Sequence, residues 1–116
     1  MIDQVREAGG LAFIAHPDDP AAPAVKETDI SWEDWTVQNY TGIELWNALS
    51  ELKTLVPTMA HAVFYAFFPS LVAHQPIPAT VARWDELLAQ GQRVVAIGGS
   101  DAHALKMHLG PIHGVV

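Results

Sequence analysis

Three short apolar segments punctuate the chain, and their lengths and endings predict three buried strands. Leu11-Ala12-Phe13-Ile14-Ala15 runs into His16-Pro17. Thr41-Gly42-Ile43-Glu44-Leu45-Trp46-Asn47 mixes apolar residues with Glu44 and Asn47. Val94-Val95-Ala96-Ile97 gives way to Gly98-Gly99-Ser100-Asp101-Ala102-His103. Proline after His16 stops a ladder and disfavours helix at the residue before it, so His16 is expected at the mouth of its strand. Asp101 and His103 are expected just past the end of theirs.

Between these segments the pattern changes to helical spacing. Ile2 to Ala8 reads as a short helix closed by Gly9-Gly10, and Ala79 to Gln90 as an amphipathic helix with Val81, Trp84, Leu87 and Leu88 on one face, ended by Gly91. Residues 48 to 75 read as helix in one or two pieces, with Ser50 as a cap and Pro57 at a boundary. Thr58 to Phe68 is apolar almost all round, too short and too interrupted for a membrane span, and is expected to be buried or at an interface. Asp18 to Tyr40 is a long loop, proline-rich and then acidic. Within it Ser31 is placed to cap one helical turn, Trp32 and Trp35 to pack on the body of the fold, and Asp18 and Asp19 to lie in a solvated turn. The order of helix end, strand, loop, strand, helices and strand predicts an α/β fold with parallel strands.

Composition narrows this picture. At 116 residues the chain is one domain at most and short for a complete barrel, which needs roughly 200 residues. A formal charge of −7 with only six Lys and Arg leaves no basic stripe for a phosphate backbone, so nucleic-acid binding by this chain alone is not expected. Without cysteine, any metal must be held by His, Asp or Glu. The opening residues lack the basic start and apolar core of a secretion signal, and a cytoplasmic location and no membrane association are expected. Opening on a helix end that steps straight into a strand predicts further structure upstream.

Laid parallel, the three strands bring His16, Asn47, Asp101 and His103 to one rim, where α/β proteins carry their working residues. Imidazole and carboxylate are natural ligands for Zn²⁺, Mn²⁺ or Fe²⁺, and such an ion lowers the pKa of bound water to about 7. Glu44, inside its strand, reads as a structural or orienting group rather than a direct ligand. His61 and His74 have no companion at ligand spacing and read as structural. His108 and His113 read as exposed loop histidines, with Lys106 the one cation near the rim motif.

The segment Gly9 to Pro17 ending in Ala15-His16-Pro17, the strand Gly42 to Asn47, and Gly98-Gly99-Ser100-Asp101-Ala102-His103 stand in an order that resembles the PHP family, the polymerase and histidinol phosphatase domains. The resemblance implies a distorted (β/α)7 barrel with parallel strands and a two- or three-metal cluster at its C-terminal rim. It also implies hydrolysis of a phosphate ester by metal-activated water, with His16, Asp101 and His103 as metal ligands, Asp101 and His103 doubling as catalytic residues, and Glu44 and Asn47 as supporting groups. The family's opening His-x-His motif does not occur in this chain. Residues 1–116 are therefore expected to form a single partial domain, the C-terminal half of a PHP-like barrel. Its metal site would be incomplete, with little or no hydrolysis by the chain alone. A half barrel leaves strand edges open, so homo-oligomers are expected. The substrate class implied is a small phosphate ester or nucleotide. Two alternatives stay open: an amidohydrolase-like metal hydrolase, and a non-catalytic interaction or regulatory module.

Overall fold

The computed structural model describes residues 1–72 and 74–103, together with the backbone strands at 106–109 and 112–115. Helix α1 (Ile2–Glu7) leads into strand β1 (Phe13–Ile14), and a long loop with a 3-10 turn at Pro23–Val25 leads to β2 (Gly42–Asn47). Helices α2 (Ala48–Leu55), α3 (Met59–Phe67) and α4 (Pro78–Ala89) follow, with a second 3-10 turn at Pro69–Leu71, before β3 (Val95–Gly99). Strands β4 (Lys106–Leu109) and β5 (Ile112–Val115) come last.

Strands β1, β2 and β3 form one parallel sheet in that spatial order, so the architecture is α/β. Phe13 and Ile14 face Gly42 and Ile43 in register, and Gly42 in turn faces Val95. Gly42 is required here: a Cβ at this position would overlap the Val95 carbonyl and crowd the Phe13 ring. The β2–β3 register shifts between Glu44 and Trp46, an irregularity of the kind that re-aims side chains near strand ends.

Ile14, Ile43, Leu87 and Val94 make the buried core, and Trp32, Trp35, Tyr40, Leu45 and Trp84 pack around it. Both tryptophans of the long loop thus cover the core as expected. Helix α4 lays Leu87 on the sheet, while Trp84 donates its indole N–H to the Val94 carbonyl at 2.9 Å. Both α1 and α4 end the same way. Gly9 and Gly91 take positive φ, and the next residue's N–H reaches back to Val5 and Leu87 respectively, the double closure that satisfies the last carbonyls of a helix.

Four local expectations are corrected. Ser31 caps no helical turn: its hydroxyl accepts the Asp19 N–H at 2.8 Å, and the turn falls at residues 35–36 instead. Asn47, not Ser50, caps α2, because the β2 end leaves the Asn47 side-chain Oδ1 2.9 Å from the Ser50 N–H. Helix α3 buries no residue, which overturns the buried half of its expectation and leaves the interface half. The segment carrying His108 and His113 is an antiparallel pair of strands, not a loop, with those two residues opposite each other in register.

Candidate functional site

The parallel register sends the C-terminal ends of β1, β2 and β3 the same way, and the motif residues lie at those ends. His16 lies two residues beyond β1, Glu44 and Asn47 lie on β2, and Asp101 and His103 follow β3 by two and four residues.

Glu44 is the hub. Its Oε2 accepts the backbone N–H of His16 at 2.8 Å and the side-chain amide of Asn47 at 3.0 Å. Its Oε1 occupies the space above Gly99, where a Cβ would overlap it. One carboxylate therefore ties the end of β1 to β2 and leans on the end of β3. A glutamate in an apolar strand is costly unless hydrogen-bonded, and two donors supply that here. Asn47 uses both ends of its amide, donating to Glu44 while its oxygen starts α2. The orienting role read for Glu44 and Asn47 describes these contacts.

His16 and Asp101 share an unusual backbone. Among the described residues only four non-glycine residues have positive φ, and His16 at 32° and Asp101 at 55° are two of them. Such conformations are uncommon outside glycine and gather at functional sites. His16 Nδ1 is also the one buried side-chain nitrogen or oxygen among the described residues that lacks a hydrogen-bond partner. A buried imidazole nitrogen without a partner is unfavourable unless a ligand or proton donor meets it. After β3, His103 Nε2 lies 3.4 Å from Asp101 Oδ1, with Asp101 mostly covered and His103 largely exposed.

The structure pairs Asp101 with His103. Among the described residues no three His, Asp or Glu side chains are gathered closely enough to hold a metal ion. The donor types, two imidazoles and a carboxylate, fit a transition metal, and the partnerless His16 Nδ1 fits a ligand atom in waiting. Lys106, named near the rim, lies where only the backbone is described.

Beside the rim lies a buried ionic cluster that the sequence reading placed in solvent. Asp19 is fully buried; its carboxylate accepts the Ser50 hydroxyl at 3.0 Å and pairs with the ammonium of Lys53, itself buried. Asp18 accepts the Thr80 hydroxyl at 2.7 Å. Together these bonds fasten the segment after His16-Pro17 onto α2 and α4. Lys53 stands 34 positions from Asp19, so no local spacing signals the pair. Glu51, also buried, accepts the Trp46 indole N–H at 2.8 Å and the His74 N–H at 3.0 Å, fixing the chain on the far side of α3.

No helix among the described residues is long and apolar enough to cross a membrane. Neither the family models, nor the curated proteins, nor the solved structures yielded a match to this chain.

Proposed function

We propose that this sheet is part of a PHP-type (β/α)7 barrel and that its rim serves a metal-dependent phosphoesterase. His16, Asp101 and His103 would hold the divalent ion. The observation that carries this reading is the state of His16: a motif histidine at a strand mouth, its backbone in the left-handed region and fixed by Glu44, its Nδ1 buried without a partner. An ion bound there would supply a nucleophilic water at neutral pH and neutralise charge on a phosphate ester. The chain's own residues do the positioning. Glu44 holds the His16 backbone, Asn47 holds Glu44, and Asp101 orients the His103 imidazole.

One observation favours a second reading, a non-catalytic module of the same fold: among the described residues His16, Asp101 and His103 are not gathered into one ligand set. Titration with Mn²⁺ and Zn²⁺, followed by assays on nitrophenyl phosphate mono- and diesters and on amide substrates, decides between them. The phosphoesterase reading expects metal binding by this chain, and phosphate-ester turnover once it is joined to a half barrel bearing His-x-His, both falling in His16→Ala and Asp101→Ala. Metal-dependent amide cleavage without phosphate-ester turnover would point to the amidohydrolase chemistry, and absence of both metal binding and turnover to the module.

A further inference from the structure

Helix α3 is turned the opposite way from an ordinary surface helix. Ala62 and Tyr65 are its partly covered positions, whereas Met59, Val63, Phe64 and Phe67 point outward, and Phe68 and Leu71 extend the same exposed surface past its end. Phe67 is 66% exposed and Phe68 50%. Phe64 and Phe68 already pack against each other with their rings tilted, ring centres 4.9 Å apart. The larger apolar side chains of a helix normally face the core, and exposed apolar patches of this kind mark interaction sites.

We propose that a second copy of this chain docks on the outer face of α3. Charge favours that occupant. Residues 54–82 contain no Asp, Glu, Lys or Arg, so all nineteen charged side chains lie elsewhere on a chain of net charge −7. The outer side chains of α3 carry no charge of their own, so two such copies meet there with little repulsion, and they offer a charged partner nothing to recognise. Area agrees. A half-exposed phenylalanine presents on the order of 100 Å². The six residues then offer ~500 Å² per copy and ~1,000 Å² for a symmetric pair, about the least a specific contact needs. A weak, concentration-dependent dimer is the result.

Sedimentation velocity across the micromolar range tests this on the whole chain. The expected result is a rise from monomer toward dimer with concentration. Added salt should strengthen it by screening the like charges. Phe67→Glu should weaken association at least ~tenfold by placing a charge in the apolar contact, while Leu88→Glu, on the exposed side of α4, leaves it unchanged. Circular dichroism checks that Phe67→Glu is folded, and Phe67→Ser replaces it if not. A monomer at every concentration, or a Phe67 variant that dimerises like the parent, overturns the proposal. So does a chain that stays monomeric in solution and floats with neutral phosphatidylcholine vesicles, which would make the face a lipid-binding one.

Discussion

Glu44 Oε2 accepts the backbone N–H of His16 at 2.8 Å, so a side chain of the central strand sets the backbone of the neighbouring strand's last turn. The same oxygen accepts the Asn47 amide at 3.0 Å, and Asn47 caps α2. Glu44→Ala leaves both donors without their acceptor in a half-buried site and is expected to cost about 1–3 kcal/mol. Glu44→Gln keeps an acceptor for His16 and is expected to cost less, about 1 kcal/mol. Urea unfolding of the two variants checks the order. If Ala and Gln are equally stable, the carboxylate does not hold the rim.

The contact with Gly99 gives an independent handle on the same carboxylate. A Cβ at Gly99 would overlap Glu44 Oε1, the far end of a flexible side chain, whereas a Cβ at Gly42 would overlap the Val95 backbone carbonyl. Gly99→Ala should therefore be tolerated with Glu44 displaced, and Gly42→Ala should disrupt the sheet. Because Gly99→Ala acts through Glu44, combining it with Glu44→Ala should give less than the sum of the single effects, by about 0.5–1 kcal/mol or more. Strict additivity in the double-mutant cycle would place the cost of Gly99→Ala elsewhere.

Two exposed aspartates in the long loop report on its local order. The Thr36 hydroxyl and then its N–H donate to Asp34 and hold its carboxyl below the usual aspartate value. The Ser31 N–H, followed by its hydroxyl, lowers Asp29 in the same direction. A pKa lower in the folded than in the unfolded chain gives stability that is present above the unfolded value and lost as pH falls through the folded one. Thr36→Val removes the larger influence on Asp34. Carboxyl NMR titration should show the Asp34 midpoint rising toward the ordinary value in that variant, with Asp29 unmoved. An unchanged Asp34 midpoint would mean that the hydroxyl does not bond to it in solution.

What could be read from sequence alone divides by the range of the interactions. The three strands, the span of α4 and its end at Gly91 were legible, because apolar runs, helical period and a glycine stop act over a few residues. So was the placement of His16 at a strand mouth, fixed by Pro17, and of Glu44 as an orienting group, since a glutamate in an apolar strand must find donors. The burial expected of the third strand does not hold, since Val95 and Ile97 of β3 are exposed. The caps were misread because Asn47, ending a strand, competes with Ser50 at a distance of three residues, and Ser31 is diverted by Asp19. The apolar character of α3 was plain, but apolarity states a preference for cover without saying what supplies it. For His108 and His113, the strand signal is the alternation Lys106-Met107-His108-Leu109, and four residues are about the least over which such a pattern can be read. Asp19 was beyond reach: its burial depends on Lys53 and Ser50, more than thirty positions away.

That buried cluster makes the sharpest stability prediction. Asp19 and Lys53 are both removed from water, and the Ser50 hydroxyl satisfies a second carboxylate oxygen. Taking away one partner leaves an uncompensated buried charge, which costs about 3–5 kcal/mol, whereas removing both charges with shape retained is often close to neutral. Lys53→Met and Asp19→Asn are each expected to lower the urea midpoint sharply, Lys53→Met more, because Asp19 is the deeper group. The double variant should recover much of the loss, since the amide that replaces the Asp19 carboxylate can still accept the Ser50 hydroxyl. Glu27, 3.9 Å from the Lys53 ammonium and largely exposed, cannot replace Asp19, because an exposed carboxylate is screened and contributes little. Glu27→Gln should therefore leave the midpoint nearly unchanged. A double variant no more stable than either single one would show that the pair fastens the loop after His16 through packing rather than charge.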